Sequence, residues 1–325
     1  MSMSGALISL VAYGKEDAHL NGSAVLSAYF TKDPPIRRST FTYLTTKPSD
    51  GCFEFSQGSM DRLGDMYLVY EAHCEPFTCY IEHKNAEDES WTLMESLSPE
   101  AMEVFAAMNP RDYKPRGNAT PLPFFFTGAP KTYLPITEKN SYRVCCSPMP
   151  RGAELLYKAV YLDTDERKLG LSGRYHHQVR FSYTTSTTVC GPTGDVCLKL
   201  DNPVSDMQVI VEDGSGNRIV VPEIELLLNG YSHTRLPSVM TTMVVPSKYY
   251  NIDSNPQRVH YLPFSHSPDG PYTCSINFSR IDYAKLLLHG LGNQSYKVTV
   301  LTRHHNTLLF DKGKCSLMYG WDAST

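Results

Sequence analysis

Short stretches in which apolar and polar residues alternate recur along the chain, and turn residues separate them. Alternation with a period of two is typical of a half-buried β-strand, and the 22 prolines and 21 glycines mark frequent turns. This pattern predicts an all-β protein built as a sandwich or a barrel. The predicted strands are 6–12, 39–45, 65–72, 142–146, 155–162, 179–184, 207–212, 218–221, 258–263 and 296–303.

Two helices are predicted between these strands. Ser98 as N-cap and Pro99 at the first helical position begin one helix, which residues 109–110 end. A shorter helix is predicted at 163–170, where an acidic start has the spacing of a capping box and a glycine ends it. Residues 213–217 predict a hairpin loop.

The chain is long enough for two domains of ordinary size, since it has 325 residues. Two prolines and a glycine within 146–152 separate one predicted strand from the next. We therefore expect a boundary there, with domains at 1–148 and 149–325. Each half could hold its own sandwich core, although no residue-level repeat relates the halves.

One segment breaks the alternation. Ile276 and Phe278 are apolar on one parity, whereas Ile281 and Tyr283 are apolar on the other. Because side chains alternate between faces along a strand, this slip predicts a corner or bulge between two strands. Polar side chains within the segment can satisfy the bent backbone. If its arginine ties the corner to buried acceptors, Arg280→Ala is predicted to destabilise the second sandwich by about 1–3 kcal/mol. The segment reads Asn277-Phe278-Ser279-Arg280-Ile281-Asp282.

This segment is the last of several strings that follow one another in the order of one protein family. The others lie at 5–14, 20–22, 37–41, 63–68, 121–126, 160–167, 201–204 and 228–230. Together they resemble the major capsid proteins of the nucleocytoplasmic large DNA viruses, across both halves of the chain.

The resemblance implies two consecutive eight-stranded antiparallel jelly-roll sandwiches with short connecting helices. It also implies a homotrimer of pseudo-hexagonal outline that tiles an icosahedral capsid. The implied partners are other copies of the chain, neighbouring capsomers, minor capsid proteins and, through other proteins, an internal viral membrane. The protein would be made in the host cytoplasm and reside in the virion.

Other functions stay open at this point: a minor capsid paralogue, a capsid-like scaffold, or a carbohydrate-binding jelly-roll module. The longest predicted loops, 82–95 and 237–256, would contribute to the outer surface.

Composition excludes several other functions and locations of the protein. A formal net charge of −4 with scattered basic residues gives no concentrated positive field, so we expect no direct nucleic-acid binding. No stretch approaches the roughly 20 apolar residues of a membrane span, and no signal peptide is recognisable. Nine cysteines at irregular spacing predict reduced, mostly buried thiols rather than a disulfide framework.

Candidate chemistry is sparse. Histidines occur in two adjacent pairs, 176–177 and 304–305. On a strand, the two members of a pair point to opposite faces and cannot bind one metal ion together, so we expect exposed or half-buried polar positions instead. No phosphate loop or nucleophile elbow is present, so we expect no catalytic residue, cofactor or metal. Residues 124–126 are predicted to form a buried aromatic strand.

Four glycosylation sequons occur in the sequence. Asn118 and Asn293 have loop contexts and are the candidates for glycosylation. Asn277 lies in the predicted packed corner, where a glycan would not fit.

Overall fold

The computed structural model describes residues 39–56, 58, 60–71, 75–85, 87, 90–108, 119–127, 133–164, 167–168, 174–252, 255, 257–266 and 274–317. The predicted strand at 6–12 and the candidate Asn118 lie outside these residues. So do parts of the predicted short helix at 163–170.

Antiparallel strands dominate the described residues. In chain order they are β1 (Ser39–Thr46), β2 (Cys52–Phe55), β3 (Arg62–Val69), β4 (Thr78–Asn85), β5 (Thr92–Leu97), β6 (Ala119–Pro121), β7 (Leu134–Pro135), β8 (Asn140–Ser147), β9 (Glu154–Leu162), β10 (Arg174–Cys190), β11 (Thr193–Leu198), β12 (Pro203–Glu212), β13 (Arg218–Ile219), β14 (Glu223–Leu228), β15 (Tyr231–Pro237), β16 (His260–Pro263), β17 (Ile276–Asn277), β18 (Ala284–His289), β19 (Ser295–Asp311) and β20 (Lys314–Leu317).

The chain forms two compact units. The described part of the N-terminal unit comprises residues up to Ser182 together with residues from Asn306 onward. One of its sheets has the order β1-β9-β3-β6, with β7 beside β3, and the other has the order β2-β8-β4-β5. Burial alternates along β4, where Cys79 and Ile81 point into the core, as expected for one face of a sandwich.

The C-terminal unit spans Tyr183–His305. One sheet has the order β11-β18-β14-β15; the other runs β10-β19-β12-β13, with β16 and β17 beside β12. β20 pairs with the end of β19 after Asn306 and therefore belongs to the N-terminal unit. Alternate residues of β11 and β18 are buried, including Val196 and Leu286. They belong to one apolar core with Val209, Leu226 and Val300.

Both units repeat one strand order. The first strand lies beside the last (β1 and β9; β10 and β19), and the second lies beside the second-to-last (β2 and β8; β11 and β18). The third strand also lies beside the last (β3 and β9; β12 and β19). The next long strand, β4 in one unit and β14 after the two-residue β13 in the other, lies beside the second-to-last (β8 and β18). This wrapping of a chain into two facing antiparallel sheets is the jelly roll, so the predicted fold class is confirmed.

The units do not divide at the predicted turn around residue 148. Strand β9 (Glu154–Leu162) pairs with β1 and β3 and therefore completes a sheet of the N-terminal unit. The chain leaves that unit at Ser182 and returns to it at Asn306. Local turn signals mark a break in the chain direction, and they do not reveal which sheet the next strand joins.

The predicted helix begins as expected. Helix α1 covers Pro99–Met108, and the Ala101 N–H donates to Ser98 Oγ over 3.1 Å. The hairpin loop is also confirmed, because the Asp213 N–H donates to the Asn217 carbonyl between β12 and β13.

The two predicted long loops contain regular structure instead. β4 extends to Asn85 and β5 begins at Thr92, so strand ends lie within 82–95. The charged residues in these strand ends made the sequence resemble a loop. Within 237–256, a π-helical turn (Met240–Val244) leads into α2 (Val245–Tyr250). Pro246 lies in the first turn of α2, and Asn251 caps its end with a left-handed backbone conformation.

Two further expectations need correction. Phe124, Phe125 and Phe126 are buried as predicted, but they form a turn rather than a strand. Cys52 and Cys145 form a disulfide between β2 and β8, whereas the spacing of the cysteines predicts reduced, mostly buried thiols rather than a disulfide framework. Strand register brings these residues together across 93 positions of sequence, which cysteine spacing alone does not show.

Candidate assembly site: a corner and a helical surface

The corner predicted near residue 278 connects the two sheets of the C-terminal unit. β17 pairs with β12, where Ile276 lies opposite Val204. A 3₁₀ turn (Phe278–Arg280) follows, and β18 then joins the other sheet between β11 and β14. The change of parity in the sequence therefore marks a change of sheet.

Asn277 holds this corner. Its side chain is fully buried, and its Oδ1 accepts hydrogen bonds from the Ser279 N–H over 3.1 Å and from Ser279 Oγ over 2.6 Å. The Ile281 N–H closes the turn by donating to the Phe278 carbonyl over 3.0 Å. A short polar side chain at the first position of the turn thus replaces the strand hydrogen bonds that the bend interrupts.

Three of the sequence strings converge here. Pro203 and Val204 pair with Asn277 and Ile276 across β12 and β17. Asn229 exchanges two hydrogen bonds with Tyr283, donating to its carbonyl over 2.7 Å and accepting from its N–H over 3.0 Å. The strings at 201–204, 228–230 and 277–282 are distant in sequence, and strand pairing makes them one structural unit.

Asn229 and Gly230 form the tight turn between β14 and β15. Both have positive φ, +49° and +81°, which favours asparagine and glycine in a two-residue hairpin. This turn carries Tyr231, whose side chain is 65% exposed. The hairpin end and the corner therefore lie side by side, joined by the Asn229–Tyr283 hydrogen bonds.

The outer side of the corner displays polar and aromatic groups, which we call the corner surface. Phe278 is buried beneath it, and Ile281 is half-buried. Arg280 is exposed, so the expectation that it reaches buried acceptors is wrong, and Asn277 performs the structural role instead. The exposed members of the corner surface are Ser279, Arg280, Asp282, Tyr283 and Tyr231.

A second exposed surface lies on residues 238–250 of the same unit, which include the π-helical turn and α2 and which we call the helical segment. It is apolar, and we call it the helical surface. Met243 is 65% exposed and Val239 is 57% exposed. Clustered exposed apolar side chains often mark a protein contact rather than a free surface. The helical surface consists of Val239, Met240, Met243 and Val244.

A buried histidine fastens the helical segment to the unit. The Val221 N–H donates to His260 Nε2 over 3.0 Å, so the ring proton lies on Nδ1. Nδ1 then donates to Thr241 Oγ1 over 2.8 Å, and that hydroxyl donates to the Ser238 carbonyl over 3.2 Å. Burial lowers the pKa of His260 to about 4, which keeps the ring neutral and this chain of hydrogen bonds intact near neutral pH.

An ion pair lies near the end of the same segment. Arg303 of β19 donates to both oxygens of the buried Asp206 carboxylate over 2.6–3.0 Å, and the Gln208 amide adds a third donor over 2.7 Å. Tyr250, the last residue of α2, has a pKa well above its usual value, because it is buried and faces the charge of Asp206. Buried hydrogen bonds and an ion pair thus lie beneath the segment that carries the helical surface.

Glu95 is a buried carboxylate in the N-terminal unit that sequence analysis missed. Its oxygens accept from the Phe125 N–H over 2.8 Å, from the Ser182 N–H over 2.7 Å and from Ser182 Oγ over 2.6 Å. Burial raises its pKa from 4.5 to about 7, although these hydrogen bonds oppose the shift. Glu95 joins β5, the aromatic turn and β10, and its position within a predicted loop concealed it.

The remaining candidates occupy diverse environments. Exposed or half-buried histidines were predicted: His176 is half-buried, whereas His177, His304 and His305 are buried. Burial lowers the pKa of His304 to about 3. Within the residues that the structure covers, no group of three His, Cys, Asp or Glu side chains could hold a metal ion. Likewise, no helix in that part of the chain is long and apolar enough to cross a membrane.

Asn293 is exposed after β18, and its glycosylation stays a prediction.

No family model and no curated protein matches the sequence. Solved structures do match the fold. The chain is similar to the VP54 protein of PBCV-1, with a TM-score of 0.70 at 14% identity over 88% of this chain and 98% of that one. The Faustovirus major capsid protein matches with a TM-score of 0.62 at 8% identity over 92% of this chain and 100% of that one.

The major capsid protein P2 of bacteriophage PM2 matches with a TM-score of 0.50 at 10% identity over 82% of this chain and 98% of that one. These matches agree with the strand order repeated in the two units. The chain is a double jelly roll. In this double jelly roll, the corner surface and the helical surface both belong to the C-terminal unit.

Proposed function

We propose that this double jelly roll is a structural capsid subunit whose activity is self-assembly. The observation that carries the proposal is the repetition of one jelly-roll strand order within one chain. Three copies of a chain with two similar sandwiches supply six similar lobes, so a trimer acquires a pseudo-hexagonal outline. Such a capsomer can tile the faces of an icosahedral shell.

The partners follow from this role. They are two further copies of the chain within the trimer, neighbouring capsomers and minor capsid proteins, with an internal membrane reached through other proteins. The protein functions in the virion after synthesis in the host cytoplasm, without catalysis and without direct nucleic-acid contact. The likeness to capsid proteins in the solved structures supports this proposal at the level of fold.

The helical surface is suited to a contact between copies. It presents exposed apolar side chains on a base fixed by His260 and by the Asp206–Arg303 pair. A stable trimer must bury well over about 2,000 Å² in total, in the range of obligate interfaces. If another copy covered the helical surface, the exposed side chains of Met243 and Val239 would contribute apolar area to the buried interface.

The mass of the purified protein tests the proposal. Light scattering at micromolar concentration is expected to give about three times the chain mass of 36.5 kDa. Met243→Glu places a charge on the helical surface and is expected to weaken the trimer at least tenfold, measured as the concentration at which it dissociates.

Ser247→Glu is the matched control, because it adds the same charge at an exposed polar position of the same segment. It is expected to leave the trimer intact. A wild-type monomer would contradict the proposed function. If both variants formed equally stable trimers, the helical surface would not be part of the interface, and the proposed trimer would be unaffected.

A further inference from the structure

Two cysteine pairs lie at the same level of one sheet in the N-terminal unit. Cys145 and Cys146 are adjacent on β8, with β2 on one side and β4 on the other. Cys145 lies opposite Cys52 of β2, and Cys146 lies opposite Cys79 of β4. Because neighbouring residues of a strand point to opposite faces, one pair lies on each face of the sheet.

The first pair is a disulfide, and the second is placed to become one. The Cys52 and Cys145 Cα atoms are 4.2 Å apart, which is typical of a non-hydrogen-bonded position in an antiparallel pair. Since the backbone groups of a strand alternate between its two neighbours, Cys146 takes the same kind of position toward β4. Its partner Cys79 is thus at the narrow spacing of facing strands, which suits a disulfide.

The sulfur atoms confirm this placement. Cys79 Sγ and Cys146 Sγ are 2.8 Å apart, and both side chains are buried. Closing this gap to bonding distance requires a movement of less than about 1 Å. Neither thiol needs a change of strand register.

We infer that Cys79 and Cys146 form a second cross-strand disulfide, on the opposite face of the sheet from Cys52–Cys145. The reaction is thiol–disulfide exchange with a low-molecular-weight disulfide such as oxidised glutathione. One thiolate attacks the oxidant and releases one thiol. The second thiolate then displaces the other half, so two cysteine thiols become a disulfide and one oxidant disulfide becomes two thiols.

Burial decides when the bond forms. Desolvation, followed by the contact with Cys146, raises the pKa of Cys79 well above its usual value. A protonated, buried thiol reacts slowly with a soluble oxidant. The bond therefore forms where an oxidised disulfide reaches both cysteines before the sheet closes, as in oxidative refolding, and the folded protein protects it afterwards.

The consequence is a covalent tie across three strands. The bonds close segments of 93 and 67 residues, and they join β2, β8 and β4. Long closed segments restrict the unfolded chain strongly. The sheet would then resist unfolding during assembly and storage outside the cell.

Peptide mapping tests the inference. The full chain is refolded in a mixture of reduced and oxidised glutathione, free thiols are blocked with an alkylating reagent, and the protein is digested with trypsin. Cys145 and Cys146 share one tryptic fragment, so two disulfides join three fragments into one species. Mass spectrometry is expected to find this species in the wild type.

Variants identify the bond. Cys79→Ser is expected to reduce the species to two fragments, and Cys74→Ser, on the same fragment as Cys79, is expected to leave three. The double variant Cys52→Ser/Cys145→Ser should still link Cys79 to Cys146. Alkylated Cys79 and Cys146 in the refolded wild type, or three fragments in Cys79→Ser, would overturn the inference without touching the capsid proposal.

Discussion

Asn277 is the side chain on which the corner of the C-terminal unit depends. Its buried Oδ1 accepts from both the backbone and the hydroxyl of Ser279, so Asn277→Ala leaves the turn without its acceptor. We expect the free energy of unfolding to fall by about 1–3 kcal/mol, measured by urea denaturation.

Arg280→Ala is the control for this experiment. Arg280 is exposed in the same turn, and a surface substitution of this kind changes stability by about 0.5 kcal/mol or less. If both variants lowered stability equally, the account of the corner would be wrong.

Glu95 should make the stability of the N-terminal unit depend on pH. Its pKa rises from 4.5 to about 7 on folding, so the folded state holds a proton more tightly than the unfolded state. The stabilisation is complete below pH 4.5 and is lost as the pH rises through 7. The fully buried group therefore contributes on the order of 3 kcal/mol less at pH 8 than at pH 4.

Glu95→Gln removes this titration. The stability difference between wild type and variant is expected to shrink steadily from pH 5 to pH 8, in urea unfolding at each pH. Glu103→Gln on the exposed side of α1 should follow the wild-type profile. Parallel profiles for wild type and Glu95→Gln would show that Glu95 does not titrate in this range.

Among the elements, the helical segment between β15 and β16 depends on one hydroxyl. Thr241 is fully buried and links His260 to the Ser238 carbonyl. Thr241→Val keeps the shape and leaves His260 Nδ1–H without an acceptor, at an expected cost of about 1–3 kcal/mol. Hydrogen exchange should accelerate in residues 238–250 and stay unchanged in α1.

Thr242→Val serves as the neighbouring comparison. The Thr242 hydroxyl donates to the same Ser238 carbonyl over 2.8 Å but has no contact with His260 in the described hydrogen bonds. We expect a smaller effect on exchange. Faster exchange in both variants alike would mean that His260 does not hold the segment.

Elements with a clear local signature could be predicted from the sequence. The strand at 39–45 alternates between polar and apolar residues, the strand at 155–162 is a short apolar run, and the Ser98–Pro99 start of α1 has its own capping chemistry. β14 was missed, because its sequence mixes charged residues with a run of leucine and lacks clean alternation, whereas β18 is the strand into which the predicted corner leads. The helical segment was missed because its threonine and valine residues are poor helix formers.

The corner was predictable because its parity slip and its polar residues are both local. Its connections to Asn229 and Pro203 were not, since these depend on strand pairing over long distances in the sequence. The same reason applies to Glu95 and to the pairing of Cys52 with Cys145.

At the scale of the whole molecule, one chain contains the same wrapping twice, and this repeat has no counterpart in the residues. A jelly roll is specified by which strands are neighbours, and many sequences satisfy that arrangement. The chain returns to the N-terminal unit at Asn306, so this unit consists of two separate segments of sequence. A single boundary placed at the turn near residue 148 could not describe such a unit. Resemblance of ordered strings nevertheless led to the correct fold.

We propose that two jelly rolls in one chain let three copies imitate a sixfold tile. Electron microscopy of negatively stained, purified protein would show the shape of the particle. Class averages are expected to be discs with a hexagonal outline and threefold symmetry. Two-lobed single particles at micromolar concentration, or assemblies without threefold symmetry, would contradict it.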